Sequence, residues 1–343
     1  MIEPLTLPST LTLAEARDRM RGASCWILSD GKIGDEVQCL GVAERLGLTA
    51  EIRRIAPRPP FVWLMPRGGI DPREGPDRPG SPLSGPLPDL CIASGRRTAS
   101  YLRKVKSLSD GRCFTVFLKD PRSGTGTADF IWVPEHDRLR GANVLATLTS
   151  PHRFSPKRLA NAAAQAPHGL ARIPSPRVAL IIGGNSRSHS FTPDNIRTLT
   201  AHITTLAASG ATLMATASRR TPPALADTLR SIVMQSGGFY WDGTGENPYP
   251  AMLALADALI VTADSVNMVG EATATGKPVL VFEPSGGTAK ITTFLSRLEA
   301  LGAIRPFAGR MEGATYAPVD STPLIACELA RRYAAFRAAR PTQ

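Results

Sequence analysis

The residues of this chain that could do chemistry sit in polar turns, each placed where an apolar run gives way to a helical pattern. In IIGGNSRSHS, 181–190, Gly183 and Gly184 close an apolar run and lead into Asn185 and Ser186. Backbone amides bared by such a turn can approach a pyrophosphate, with the Ser186 hydroxyl beside them. In ATASRRTPP, 215–223, Ser218, Arg219, Arg220 and Thr221 precede prolines that can open a helix. A guanidinium meets two phosphate oxygens at once, an order that a merely solvated turn does not need. In LIVTADSVNMVGEATATGKPVLVF, 259–282, Asp264 or Ser265 can cap a helix that carries Asn267, Met268 and Glu271. The helix mouth suits an anion, and the Glu271 carboxylate suits a ribose diol. Helix-dipole attraction contributes only ~0.3–2 kcal/mol, so the arginines have to act as partners. Lys290 follows a Gly-rich turn at 285–288, in the first turn of the next helical pattern.

The first half holds a second set. SDGKIGDE, 29–36, brings Asp30, Gly31, Lys32, Gly34 and Asp35 together before a helical pattern, with Asp35 as its expected N-cap. SGRRTAS, 94–100, offers Ser94, Gly95, Arg96 and Arg97 as a clamp for an acidic group. KDPR, 119–122, and VPEHD, 133–137, follow two further apolar runs. His136, flanked by Glu135 and Asp137, is a candidate general base, since imidazole titrates near neutrality and a carboxylate can hold its tautomer. Each turn taken alone also reads as an ordinary βα connection. GxGxxG, GxxxxGK[ST] and YxxxK patterns are absent, which argues against dinucleotide, Walker-type and epimerase-like readings. No DxD and no His/Cys ligand cluster occurs, so neither a metal nor a resident cofactor is expected.

Alternating strand-length apolar runs and helical patterns must position these turns. Strands are predicted at 24–28, 50–55, 90–93, 113–118 and 130–133, with helices at 36–46 and 98–108. The second half repeats the alternation, with strands at 178–182, 212–216, 238–241, 258–262 and 278–282. Helices follow at 193–208, 223–235, 248–256, 265–275 and 288–301. A closing helix is predicted at 324–340, where Ile325, Leu329, Tyr333 and Phe336 recur at helical spacing. Between Pro57 and Pro88, ten prolines and five glycines predict a mobile surface loop without regular structure, either a substrate lid or a neutral insertion. The polar stretch 150–176 reads as a linker. The expected class is α/β, doubly wound, with domains at 1–165 and 170–310 and a closing segment at 311–343.

With 343 residues, the chain fits two domains. Its 43% hydrophobic and 20% charged residues fit a globular core. Forty Lys and Arg against 29 Asp and Glu favour anionic partners, whereas interrupted basic turns and few aromatics argue against nucleic acid. Five scattered cysteines without a CxxC pair fit a reducing cytoplasm. Neither a signal peptide nor a spanning segment is visible. The expected place is the cytoplasm, with peripheral docking on an anionic inner membrane face through Arg331, Arg332, Arg337 and Arg340.

Taken in order, WILSDGKIGDEVQ, SGRRT, KDPR with VPEHD, IGGNS, TASRRTPP and VTADSVNMVGEATATGKPV resemble the mitochondrial fission ELM family. Its plant founder is named for elongated mitochondria, and its many bacterial members look like glycosyltransferases. The resemblance covers 24–307 and implies a GT-B-like fold of two facing Rossmann-like domains, nucleotide-sugar donor on the second and acceptor on the first. The Glu271 segment is similar to the donor site of the peptidoglycan N-acetylglucosaminyltransferases. That likeness implies that Ser265, Asn267 and Met268 line the diphosphate and base pocket and that Glu271 binds ribose. Bacterial relatives often carry His where this chain has Asp35, so the general base stays open between Asp35 and His136. The expected activity is metal-independent transfer from a nucleoside-diphosphate sugar, UDP above all, to a lipid-linked or other envelope acceptor. A non-catalytic interaction protein and a nucleoside-diphosphate-sugar epimerase are the alternatives.

Overall fold

The computed structural model describes residues 11–339, which form two compact α/β units. One unit runs to Arg153 and resumes at Ser321, and the other spans Phe154–Asp320. The helices in chain order are α1 (Leu13–Arg19), α2 (Ile33–Arg45), α3 (Phe61–Leu64), α4 (Thr98–Leu108), α5 (Pro156–Ala164), α6 (His168–Ala171), α7 (Pro193–Ala208), α8 (Pro223–Gln235), α9 (Tyr249–Leu255), α10 (Val266–Thr273), α11 (Ala289–Ala300) and α12 (Thr322–Ala338).

In the first unit, β1 (Cys25–Ser29), β2 (Ala50–Arg54), β3 (Leu90–Ser94), β4 (Phe114–Leu118), β5 (Phe130–Pro134) and β6 (Val144–Thr147) form a parallel sheet in the order β2-β1-β3-β4-β5-β6. β1, β3 and β4 are buried throughout because layers of chain cover both faces, whereas the edge strand β2 leaves Glu51 and Arg54 in water. Ile325, Leu329 and Tyr333 of α12 pack with Val42 of α2 and with Ile27, Phe114 and Trp132 of the sheet. Tyr333 meets Phe114 edge-on at 5.8 Å. The expected separate closing segment is therefore corrected: α12 completes the core of the first unit.

The second unit is built on β7 (Arg177–Ile182), β9 (Thr212–Ala217), β10 (Phe239–Trp241), β11 (Ala258–Thr262), β12 (Val279–Phe282) and β14 (Arg305–Pro306), parallel in the order β10-β9-β7-β11-β12-β14. Two dipeptides, β8 (His189–Ser190) and β13 (Ser285–Gly286), pair antiparallel outside that sheet. In both sheets the chain first winds to one side of its opening strand and then to the other. The reversal falls between β1 and β3 in the first unit and between β7 and β11 in the second. Crevices beyond the carboxyl ends of strands at such reversals are where α/β sheets hold ligands.

Two organisational expectations fail for identifiable reasons. The stretch read as a linker, 150–176, contains α5 and α6, and α5 packs on α9, so the second unit begins at Phe154 instead of 170. Ser155 caps α5 by accepting the Arg158 amide at 3.2 Å, and Pro156 occupies its first turn. The segment 57–88 is not free of regular structure: it holds α3 and a single helical turn at Pro72–Glu74. Its Met65 and Leu83 pack with Trp26, Tyr101 and Phe117 on one face of the first sheet. The buried Asp71 carboxylate accepts from the Arg58 guanidinium at 2.8 and 2.9 Å, and the Tyr101 hydroxyl donates to Glu74. These ties contradict the expected mobile loop. The arginines expected to meet a membrane are also engaged: Arg331 and Arg332 bond the buried Glu328, and Arg337 bonds Asp89. Arg340 lies outside the described residues.

The Arg58 hydrogen bonds hold the Asp71 carboxyl down to about 2. A depressed carboxyl contributes stability above its ordinary value of 3.8 and loses that contribution as pH falls through about 2. At neutral pH, Asp71→Asn is expected to speed tryptic cleavage within 57–88 several-fold while the far-UV spectrum stays unchanged. An unaltered digestion rate would show that Asp71 does not hold the segment.

Candidate functional site

The second unit gathers its turns around Asp264, whose side chain has no exposed surface. A buried carboxylate must fill its acceptor positions from protein donors. Asp264 Oδ1 accepts the Thr262 hydroxyl at 2.8 Å, and Oδ2 accepts the Gly184 amide at 3.0 Å and the Arg220 guanidinium at 3.3 Å. The Gly183 amide donates to Thr262 Oγ1 at 2.8 Å, and the Thr221 hydroxyl donates to the Gly183 carbonyl. Arg220 also donates to the Asn185 carbonyl at 3.0 Å, and the Asn185 amide donates to the Arg220 carbonyl at 3.1 Å. The turns after β7, β9 and β11 are thereby one hydrogen-bonded body at the strand reversal.

This arrangement changes what the two glycines do. Their amides, expected to face a pyrophosphate, donate to Thr262 and Asp264 instead. A Cβ on Gly183 would lie 2.1 Å from Asp264 Oδ1, and one on Gly184 would lie 2.1 Å from the Arg220 backbone. Glycine is required there by close approach. Ser186 accepts the amides of Ser188 and His189 at 3.3 and 3.0 Å and so shapes its own turn. β8 and β13 then join the turn after β7 to the turn after β12.

The remaining predicted residues are half-buried or exposed. Ser265 caps α10, accepting the Met268 amide at 3.4 Å, and Ser265, Asn267 and Met268 are all half-buried. Arg219 and Lys290 are exposed, and Ser218 is half-buried and bonded to Thr221. Glu271 accepts the Tyr249 hydroxyl at 2.8 Å through Oε2. It retains some open surface, yet the dense protein around its carboxyl pushes its pKa up to about 7 against the pull of that hydrogen bond. Asp264 and Tyr249 were not among the predicted site residues. Asp264 was legible only as one of two possible caps, and Tyr249 carried no signal, because its partner lies 22 positions away.

In the first unit the turns after β1, β3 and β4 meet at the other strand reversal. α2 begins at Ile33 with Lys32 at its N-cap, so Asp35 is not the cap expected from sequence. Asp35 stands in the first turn and pairs with Lys119, which holds a backbone φ of 89° that side chains rarely adopt. The buried Asp30 pairs through Oδ2 with Lys32 at 2.9 Å, and its Oδ1 accepts no hydrogen bond. Gly95, at φ 94°, lies under both: a Cβ there would be 3.1 Å from Asp35 Oδ2 and 3.5 Å from Asp30 Oδ1. Gly31 donates its amide to Ser29 Oγ at 3.0 Å. Gly34, Arg96 and Arg97 are exposed, and Ser94 is buried, donating to the Leu118 carbonyl at 2.9 Å. His136 lies in the turn after β5, one strand beyond β4, a turn tied by Arg140 to the carbonyls of Glu135 and Asp137. Among the described residues, no three His, Cys, Asp or Glu side chains are grouped to hold a metal ion, and no helix is long and apolar enough to cross a membrane.

The sequence model of a family described as mitochondrial fission ELM1 matches residues 33–333. The mitochondrial fission protein ELM1 of Arabidopsis thaliana is 30% identical over 281 residues, 73% of this chain and 65% of that protein, so the match spans less than two thirds of the relative. Among solved structures, the UDP-GlcNAc 2-epimerase of Methanocaldococcus jannaschii is similar with a TM-score of 0.51 at 10% identity, over 92% of this chain and 99% of its own. The UDP-GlcNAc 2-epimerase of Neisseria meningitidis, bound to UDP-GlcNAc, is similar with a TM-score of 0.50 at 11% identity, over 90% and 99%. At such identity the likeness shows the fold: two Rossmann-like, doubly wound domains of GT-B type.

Gly183→Ala is expected to destabilise the second unit by about 1–3 kcal/mol through overpacking against Asp264. The urea midpoint reads it, with Gly126→Ala, a site with nothing within 4 Å, as the neutral comparison. Equal midpoints would contradict the crowding. For Glu271 the folded protein favours the protonated form, so stability is expected to fall as pH rises from the ordinary 4.5 through about 7 and to level off above. Melting of wild type and Glu271→Gln across that range should diverge towards alkaline pH, the variant holding higher. Parallel curves would remove the burial cause.

Proposed function

The chain belongs to the mitochondrial fission ELM1 family, and from that premise we propose that it is a glycosyltransferase whose second unit binds a nucleoside-diphosphate sugar, with UDP as the nucleotide. The observation that carries the reading is the set of turns fastened by Asp264 at the β7/β11 reversal, where the α10 mouth and the open side of Glu271 stand together. Asp264 fixes Arg220 in place, and the exposed Arg219 and Lys290 supply the cations that meet a diphosphate. Ser265, Asn267 and Met268 at the start of α10 add helix-end dipoles to those cations. Glu271, when ionised, accepts two ribose hydroxyls.

The first unit supplies the acceptor side in this reading. Asp30, Asp35 and Lys119 surround Gly95, with Gly31, Lys32, Gly34, Ser94, Arg96 and Arg97 around them. A general base that takes the proton of the acceptor hydroxyl contributes ~10²–10⁴ in rate. Asp35 is held as an ion pair by Lys119, and His136 is the second candidate. The proposed acceptor is a lipid-linked or other cell-envelope hydroxyl, reached from the cytoplasmic face. The diphosphate leaves on protein cations and dipoles, a role that needs no resident cofactor.

A second reading is favoured by one observation, the 30% identity to a plant protein named for mitochondrial fission. There the GT-B scaffold serves as a non-catalytic interaction surface. The fold likeness to two enzymes named as epimerases keeps a third reading, rearrangement of the sugar with no acceptor.

Calorimetry with UDP separates these readings. Saturable binding is expected, and Arg219→Ala combined with Lys290→Ala should weaken it by roughly tenfold or more, as for lost charge-assisted bonds. No heat with UDP or with UDP-sugars would overturn the nucleotide reading and favour the scaffold. Sugar isomerised in the absence of any acceptor would favour the epimerase.

A further inference from the structure

We infer that Tyr249 is a positioning residue for the nucleoside subsite: its hydroxyl fixes one oxygen of Glu271, so that the other is presented to the ribose hydroxyls of a bound nucleotide. The inference rests on the nucleotide reading of the second unit and names the residue that makes that subsite selective for ribose.

Three observations carry it. The first is the division of labour on one carboxyl group. Tyr249 donates to Glu271 Oε2 at 2.8 Å and is its one hydrogen-bonding partner among the described residues, while the half-buried side chain keeps Oε1 without a protein donor. A carboxylate with one oxygen held and one free is oriented before the ligand arrives, so less rotational freedom is lost on binding.

The second is that the hydroxyl is itself held. Tyr249 is the first residue of α9, and its amide donates to Asn247 Oδ1 at 3.0 Å. Its ring meets Phe154 edge-on, with centroids 5.5 Å apart and planes at 82°. Phe154 is buried at the start of the second unit, immediately before α5, the helix that packs on α9. The stretch that reads as a linker in sequence thus braces the tyrosine that aims Glu271.

The third is charge. Burial, and after it the neighbouring Glu271, push the Tyr249 phenol well above its ordinary value, so it stays a donor throughout the working range of pH. No charged side chain among the described residues, on α9, on α10 or on the strands β11 and β12 that α10 packs against, moves the Glu271 carboxyl, so the Tyr249 bond is the single interaction that favours its ionised form. Removing that donor leaves burial unopposed and raises the pH at which the carboxylate forms.

Tyr249→Phe keeps the ring and deletes the hydroxyl. Affinity for UDP, measured by calorimetry from mildly acid to mildly alkaline pH, is expected to rise through neutrality in the wild type. The rise should sit about one pH unit higher in Tyr249→Phe, as for the loss of one hydrogen bond to a charged group. The preference for UDP over 2′-deoxy-UDP is expected to shrink in both Tyr249→Phe and Glu271→Gln, a change that a purely structural role for the tyrosine would not produce. A ligand-free readout accompanies these: carbon-13 titration of the Glu271 carboxyl in wild type and Tyr249→Phe, with an upward-shifted midpoint in the variant. Wild type that binds UDP, with the same midpoint and the same ribose preference in Tyr249→Phe, overturns the positioning role and leaves the nucleotide reading intact. No UDP binding at any pH overturns the nucleotide reading, and the carboxyl titration then still decides the coupling, since equal midpoints refute it.

Discussion

A carboxylate with no surface of its own is the constraint on which the second unit's site depends. Asp264 lies at the strand reversal and fills its acceptor positions from the turns after β7 and β9 and from Thr262 at the end of β11. Leaving such a group short of donors costs far more than any one of those bonds returns, so the turns cannot drift independently. Two consequences follow from the same demand. Gly183 and Gly184 must be glycines because neighbouring atoms occupy the space of a Cβ. Arg220 is committed to the scaffold, so in the proposed reading an outside anion is met by the exposed Arg219 and Lys290.

The second unit also shows how support reaches a site from outside its own turns. α5 packs on α9, Phe154 meets Tyr249, and Tyr249 holds Glu271, so orientation passes from a helix outside those turns to the carboxyl group on α10. Dense packing transmits such placement because the interior leaves little room for alternative rotamers. The first unit has a parallel device: Gly95 admits Asp30 and Asp35 to the same small space, and Lys119 reaches Asp35 from a backbone conformation with few occupants.

Most of the fold was legible because parallel strands covered on both faces are written as short unbroken apolar runs, and CWILS, FTVFL and ALIVT are of that kind. Proline at the first turn fixed α7 and α8 at the predicted residues. Elements that escaped had weaker signals: β6 is half-buried at an edge, and α5 is a short Ala-rich helix whose apolar face is only partly covered. The Pro- and Gly-rich segment looked unstructured because composition records local propensity, whereas Glu74, Met65 and Leu83 are held by residues from other parts of the chain. For the site, the turns themselves were visible as Gly and Arg clusters. Which amides are taken up inside the protein was not, since that depends on Thr262, which accepts the Gly183 amide, and on Asp264, which accepts the Gly184 amide from 80 positions away. The α12 packing on the first unit was hidden for the same reason of sequence distance.

The central claim is that the turns tied together by Asp264 form one nucleotide site. Hydrogen–deuterium exchange with and without UDP tests it most directly, because it reads each turn separately in the intact chain. The account predicts that UDP slows exchange together in 218–221, 265–271 and 285–290, with little change across the first unit. Protection confined to the first unit, or none in any of these turns at saturating UDP, would contradict it.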